Sequence, residues 1–94
     1  MSEPRYKPKE HPGWLGMFTT EEYPGALRNG TVIEKATFEQ GDGTPIGAKG
    51  RVLGSMGHPE IGVGYFVEWE ARPRMAVFAE ARQIRAVNRE ELSP

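Results

Sequence analysis

Two histidines, His11 and His58, have the greatest capacity for chemistry in this 94-residue chain. Each is followed directly by proline, and neither has the spacing to a second imidazole that a metal site needs. His58 and Glu60 share one loop and Asp42 lies in an earlier one, so the three meet only if the two loops lie side by side. Whether they form a site stays open, but we expect solvated loops, with no metal ligand and no cofactor.

Serines and glycine-rich segments give little support for catalysis. The segment around Ser55, Gly-Ser-Met-Gly, is not the strand-to-helix elbow that exposes an attacking hydroxyl, and the chain has no cysteine to act as a nucleophile. The glycines of 41–43 and 62–64 lack the following Lys-Ser/Thr pair of a phosphate-binding loop. The sequence predicts no catalytic residue, so enzyme activity of this domain on its own is not expected, although the question stays open.

Charge composition disfavours binding to duplex DNA. Twelve Lys and Arg residues against thirteen Asp and Glu give a net charge of −1, without the basic excess that phosphate binding usually requires. A local basic stripe is still conceivable near the C-terminus, and its members would be Arg72, Arg74, Arg82, Arg85 and Arg89. Neighbouring glutamates can pair with these arginines instead, so we favour a mixed surface and keep RNA binding as an alternative.

The lack of long apolar segments and of cysteine indicates the cellular compartment. No run approaches the ~18 apolar residues that a transmembrane helix needs, and residues 1–10 are polar and charged. Without cysteine, nothing in the chain requires an oxidising compartment. We therefore expect a cytoplasmic protein that does not associate with membranes.

The element most clearly predicted is a strand over residues 65–70, where apolar and charged side chains alternate. Tyr65, Val67 and Trp69 would share a buried face, while Phe66, Glu68 and Glu70 would share the opposite, solvated one. A short reversal at 71–74 and a strand over 75–79 complete a hairpin. This hairpin places Glu68, Glu70, Arg72 and Arg74 along one strand and its tip.

The remaining segments predict a small, mostly β domain. Further strands are expected at 31–38, 48–55 and 83–87, with one helical turn at 80–82 and turn-rich loops at 40–45 and 56–62. Glycines in the second strand allow a sharp bend or the close approach of another backbone. The domain organisation is an irregular N-terminal arm at 1–25 that packs partly on the domain, a five-stranded unit at 26–89 and a tail at 90–94.

This order of elements, with its glycine spacing, resembles that of SH3-like barrels. The residues that carry the resemblance are Gly30-Thr31-Val32, the run Gly47 to Val52, and Tyr65-Phe66-Val67-Glu68-Trp69. Similar skeletons occur in KOW-type ribosomal domains, in barrels like photosystem I subunit IV and in the nitrile hydratase β subunit. The resemblance implies a small five-stranded SH3-like barrel over roughly 30–87; it also implies RNA binding as one function and an accessory role in a metal-dependent enzyme as another.

The leading functional hypothesis is a non-catalytic binding or accessory domain that docks on a protein partner. It depends on apolar residues in the arm that so small a core does not obviously need. The long turn-rich loop at 40–45 is a further candidate region. The candidate binding residues are Trp14, Phe18, Phe66, Glu68, Glu70, Arg72 and Arg74.

Overall fold

The computed structural model describes residues 7–39, 41 and 43–87, which form one antiparallel sheet and a short 3₁₀ turn. Within these residues there is no α-helix. The strands are β1 (Val32–Lys35), β2 (Lys49–His58), β3 (Gly62–Trp69), β4 (Val77–Glu80) and β5 (Ile84–Ala86), and the 3₁₀ turn, Ala81–Gln83, precedes β5.

The five strands are hydrogen-bonded in the order β4-β3-β2-β1-β5. These five strands confirm the mostly β fold. The sheet has two edge strands, β4 and β5, and is not closed, so the barrel is not confirmed. The predicted hairpin is confirmed, because β3 pairs with β4 from Gly64↔Glu80 to Val67↔Val77. β2 is the longest strand and pairs with β3 along most of its length, from Gly50↔Trp69 to His58↔Gly62.

The apolar core lies on one face of this sheet. The buried face predicted for β3 is confirmed, since Tyr65, Val67 and Trp69 belong to one cluster with residues from every other strand. Ile33 of β1 and Val52 of β2 are fully buried at its centre. Alternation along an extended chain produces this arrangement, because successive side chains point to opposite faces.

The strands differ in length from the sequence predictions, most clearly in β2. The segment 56–58 was expected in a loop but belongs to this strand, whereas β1 ends at Lys35 rather than at residue 38. A bulge between Val52 and Gly54 shifts the register by one residue and lets the long strand bend. The glycines of β2, Gly50, Gly54 and Gly57, therefore lie within the strand and do not mark its end.

Residues of the N-terminal arm cross the outer face of the sheet. Leu15 bonds the segment before β4, where its N–H donates to Arg74 O at 2.8 Å and its carbonyl accepts the N–H of Ala76 at 2.9 Å. Farther along, Glu21 O accepts the N–H of Ser55 in β2 at 2.9 Å. Because β3 lies between β4 and β2, the arm spans β3 between these two anchors.

Gly54 is required for this crossing. A Cβ atom at this position would lie 1.8 Å from the carbonyl oxygen of Thr19, so any side chain would displace the arm. The chain then continues to the core side, where Tyr23 N–H of the arm donates to the buried Ser55 hydroxyl at 2.8 Å and Leu27 N–H, just after the arm, donates to Tyr65 Oη at 2.9 Å. The arm thus supplies partners for groups that the sheet alone would leave unpaired.

Candidate functional site

Two of the predicted binding residues, Trp14 and Phe18, pack within the arm. Phe18 is buried, stacked on the His11 ring at 3.8 Å between centroids and contacted edge-on by Trp14 at 5.0 Å. The Nε2 atom of His11 donates to the carbonyl oxygen of Phe18 at 2.9 Å. Phe18 is therefore inaccessible to a partner in this conformation, and Trp14 is only half-exposed.

Phe66 lies on the outer face of β3, as predicted, but it is not solvated. Only 6% of its surface is exposed, because the Phe78 ring packs edge-on against it at 5.5 Å and the arm lies on Gly54, its partner in β2. Gly64 makes room for Phe78, whose ring would be 2.3 Å from a Cβ there. The outer face therefore holds a second, smaller apolar layer beneath the arm.

Glu68 acts within the structure as the residue that closes the β3–β4 tip. Its carboxylate accepts the backbone N–H of Arg74 at 2.8 Å and the Nε–H of Arg51 at 2.7 Å. These two bonds hold the pKa of Glu68 below its ordinary value, and the bond from the Arg74 backbone has the larger effect. Arg74 has a positive φ of 61°, so the carboxylate fixes a backbone conformation that is unfavourable for arginine.

The arginines of the tip point in different directions. Arg72 donates from Nη2 to Gly43 O at 3.3 Å, whereas the Arg74 guanidinium lies beside Gly13 of the arm. Arg82 pairs with Glu39 and Glu80, and these carboxylates raise the pKa of Arg82. The remaining members of the possible basic stripe are Arg85, which pairs with Glu34, and Arg89, which lies outside the described residues.

The loop between β1 and β2 is held at three points. The Nζ of the buried Lys35 donates to Thr44 O at 3.1 Å, Arg72 bonds the neighbouring Gly43, and Arg82 reaches the Glu39 carboxylate at 2.6 Å. These anchors come from β1, from the β3–β4 tip and from the 3₁₀ turn. The described part of the loop is therefore fixed against three separate elements.

This anchored loop nevertheless exposes two large apolar side chains. Phe38 is 64% exposed and Ile46 is 62% exposed, although buried Thr44 lies between them in sequence. Sequence reasoning did not select either residue. The sequence does contain one signal for them. Phe38 and Ile46 are apolar residues on either side of a turn-rich segment, and neither fits the apolar period of a strand or a helix.

Two grooves share Lys49, Trp69 and Glu70 in their linings, and the smaller of the two borders the loop. The larger, with a volume of about 500 Å³, extends towards Val32 and Pro73. The smaller, of about 210 Å³, extends along the loop and is lined there by Gly43, Thr44, Pro45 and Ala48. We call Phe38, Ile46 and these two grooves the loop surface.

Most charges in the larger groove are already paired. Lys49 Nζ contacts Glu34 Oε2 at 2.8 Å, and Arg51 contacts Glu68 at 2.7 Å. The hydrogen bond from Lys49 holds the pKa of Glu34 below its ordinary value, and a weaker contribution in the same direction comes from the hydrogen bond of Arg85. Glu70 is exposed and, among residues 7–39, 41 and 43–87, its carboxylate has no hydrogen-bond or ion-pair partner.

Neither histidine lies in a cluster suited to catalysis or metal binding. The Nδ1 atom of His58 accepts the backbone N–H of Glu60 at 3.1 Å within the β2–β3 turn. In the described part of the chain, no three His, Asp or Glu residues are grouped so as to hold a metal ion. Asp42, the third residue of the possible site, lies outside that part.

Comparisons with protein-family models, with curated proteins and with solved structures found no match to this chain. The SH3-like resemblance therefore stays a prediction from the sequence. As for membrane insertion, none of the described residues belong to a helix long and apolar enough to cross a bilayer.

Proposed function

We propose that this chain is a non-catalytic binding domain that docks on a protein partner through the loop surface. The observation that carries the proposal is an anchored loop that exposes Phe38 and Ile46. Burial of such a side chain contributes about 1.5–3 kcal/mol, and this contribution is unused at both positions in the free chain. Because its described part is anchored, this loop also loses less conformational entropy on binding than an unattached loop would.

Burial argues against Phe18 and Phe66 as contacts for a partner, although Leu15 and Met17 on the arm are exposed as Phe38 and Ile46 are on the loop. Phe18 and Phe66 complete the layer beneath the arm, so their burial belongs to the folded state of this chain. Phe38 and Ile46 have no equivalent cover. Phenylalanine, like the other aromatic residues, is enriched at protein–protein interfaces.

Docking by strand addition at β4 has less support. The N–H of Ala76, just before this strand, is already bonded to Leu15, and the N–H of Glu80 at its end donates to the Gln83 side chain at 2.8 Å. Bonds at both ends leave a short edge for an added strand. Partner contacts through side chains of the loop surface fit the structure better.

We also propose that the sheet is the opened-out form of an SH3-like barrel. Support comes from the order β4-β3-β2-β1-β5, in which the long, bulged β2 is shared by both halves of the sheet. The 3₁₀ turn at Ala81–Gln83 lies near the predicted helical turn, before the last short strand. The cytoplasm stays the predicted compartment.

The structure adds no support to the RNA alternative, because Arg82 and Arg85 are engaged by carboxylates. An accessory role in a metal-dependent enzyme stays compatible with docking, since it is one kind of protein partnership. The identity of the partner would separate a general binding module from an enzyme subunit.

Site-specific photo-crosslinking tests the proposal directly. A photoreactive phenylalanine analogue placed at position 38 or at position 46 in the full chain, expressed in its native cells, should crosslink one protein species. The same analogue at Pro59, exposed in the β2–β3 turn, is the matched control. The crosslinked protein should also stop co-purifying with a folded Phe38→Ser/Ile46→Ser double variant.

Any of three results would overturn the proposal. One is the absence of a crosslinked protein at both loop positions, and another is equal labelling of the same species from position 59. Unchanged co-purification with the double variant would likewise exclude the loop as the binding element. Circular dichroism of each variant establishes that the fold is retained.

A further inference from the structure

We propose that the hydrogen bond between Glu68 and the Arg74 backbone is a latch that holds the N-terminal arm on the edge of β4. Arg74 lies between the two: its N–H donates to Glu68 Oε2 at 2.8 Å, and its carbonyl oxygen accepts the N–H of Leu15 at 2.8 Å. We call Glu68, Arg74 and Leu15 the arm latch. The latch is a property of the free chain and does not depend on docking at the loop surface.

The backbone of Arg74 is held in a conformation that arginine does not favour. Its φ of 61° is the one positive value at a non-glycine residue in the part of the chain that the structure describes. This region of φ is costly for an L-residue because Cβ crowds the following carbonyl oxygen, and turns that need it usually place glycine there. Arg74 therefore keeps this conformation only while neighbouring contacts hold it.

The Glu68 carboxylate supplies such a contact from a fixed position. Glu68 lies in β3, where it pairs in register with Arg51 of β2. Its Oε1 atom accepts the Nε–H of Arg51 at 2.7 Å, while Oε2 accepts the Arg74 N–H. A hydrogen bond to an ionised carboxylate is stronger than one between neutral groups. If the bond to Arg74 is lost, this residue can relax to negative φ, and the rotation changes the direction of its carbonyl group.

The arm depends on the direction of that carbonyl group. Leu15 donates its N–H to it, and the carbonyl oxygen of Leu15 accepts the N–H of Ala76 at 2.9 Å, which makes a parallel bridge to Met75. The Leu15 side chain is 69% exposed, so apolar burial contributes little at this anchor. The anchor therefore depends mainly on backbone bonds, one of which ends on the strained residue.

A closed latch covers one end of the β4 edge. While Leu15 is bonded, the Arg74 carbonyl and the Ala76 N–H are not available to another strand. Edge groups without a partner pair readily with other chains, and proteins commonly cover them for this reason. Opening of the latch would free both groups and lengthen the edge that an added strand could use.

The other anchor of the arm should be independent of the latch. It joins the carbonyl of Glu21 to the N–H of Ser55 in β2 and does not involve Arg74. The arm would therefore open at its β4 end and stay attached at β2. Because Glu68 also lines the larger groove, the latch connects the loop surface to the arm.

Hydrogen exchange of the ¹⁵N-labelled full chain measures the latch at the amides of Leu15 and Ala76. Glu68→Ala removes the acceptor of the Arg74 N–H, and we expect both amides to exchange about tenfold faster. Arg51→Ala is the matched control, because it removes the other bond of Glu68 and leaves that acceptor in place. In this control both amides should stay within about threefold of the parent rate.

Two substitutions of Arg74 separate the latch from a general loss of stability. Arg74→Gly removes the backbone cost, because glycine adopts positive and negative φ about equally. In that background, adding Glu68→Ala should accelerate exchange at Leu15 by less than about threefold. Arg74→Ala also removes the guanidinium that lies beside Gly13, but it keeps Cβ, so adding Glu68→Ala there should again accelerate exchange about tenfold.

The inference fails if Glu68→Ala leaves exchange at Leu15 and Ala76 at the parent rate, since the arm is then held without the latch. It also fails if Arg51→Ala accelerates exchange as much as Glu68→Ala. Equal acceleration by Glu68→Ala in the glycine and alanine backgrounds would show that the conformation of Arg74 is not what links Glu68 to the arm. Far-UV circular dichroism checks that each variant keeps the fold.

Discussion

The surface beneath the arm and the loop surface both contain large apolar side chains, but only the first is covered by the chain itself. Phe66 and Phe18 are almost fully buried where the arm crosses β3, whereas Phe38 and Ile46 remain more than 60% exposed on the loop. The arm is held by backbone bonds at Leu15 and Glu21. Apolar residues outside the main core thus serve stability in one region and are available to a partner in the other.

The largest effect on stability should come from removing the buried aromatic ring beneath the arm, and the exposed ring on the loop is its comparison. Phe66→Ala should lower the free energy of unfolding by about 3 kcal/mol, because it leaves a cavity beneath the arm. Phe38→Ala should change it by less than about 0.5 kcal/mol, as for most exposed substitutions. Urea denaturation measures both. Comparable losses in the two variants would contradict the proposed division of roles.

A side chain at Gly54 should disrupt the covered region alone. Gly54→Ala places a Cβ against the Thr19 carbonyl, so we expect a loss of about 2 kcal/mol and faster hydrogen exchange at the Ser55 amide that bonds Glu21.

Gly30→Ala is the matched control for that variant. Gly30 has a φ of +87° and open space around its Cβ position, so only the backbone cost of about 1 kcal/mol should appear. Exchange at Ser55 should be unchanged. A Gly54 variant no less stable than the Gly30 variant would mean that the arm does not require the close approach.

The paired carboxylate of Glu68 in the sheet should contribute to stability, whereas the unpaired carboxylate of Glu70 on the loop surface should not. Glu68→Gln should cost about 1 kcal/mol at neutral pH, because it weakens the bonds to Arg74 and Arg51. Its carboxyl pKa is lowered by folding, so the stabilisation is present above the ordinary value of 4.5 and disappears as the pH falls through the folded value.

Unfolding curves measured from about pH 2 to about pH 7 check this prediction. The difference between parent and Glu68→Gln should shrink as the pH falls below 4.5, the ordinary value of the carboxyl pKa. Glu70→Gln, in which no described partner is lost, should match the parent throughout. If Glu68→Gln lowered the free energy of unfolding by the same amount at every pH, the carboxylate charge would not be what closes the tip.

The features predicted correctly from sequence are those that local alternation determines. Tyr65, Val67 and Trp69 were assigned to the core because a strand alternates over every two residues, and their burial confirms it. Phe66 was placed on the correct face, but its burial depends on an arm more than 40 residues earlier in the chain, which periodicity does not show.

Residues whose surroundings depend on distant parts of the chain or on the end of a strand were harder to interpret. Gly57 was assigned to a loop, yet it lies in β2, where the Tyr23 ring occupies the place of a side chain. Phe38 was assigned to a strand that ends three residues earlier, so its exposure was not expected. Lys35 is buried through a bond to a loop carbonyl, a contact without a sequence signal.

The most direct test of the account is the affinity of the crosslinked partner for two matched double variants. Phe38→Ser/Ile46→Ser alters the loop, whereas Leu15→Ser/Met17→Ser alters two apolar residues that are 69% and 50% exposed on the arm. We predict that the loop variant binds at least about 30-fold more weakly by calorimetry, while the arm variant binds like the parent. Loss of binding in the arm variant with retention in the loop variant would contradict the account.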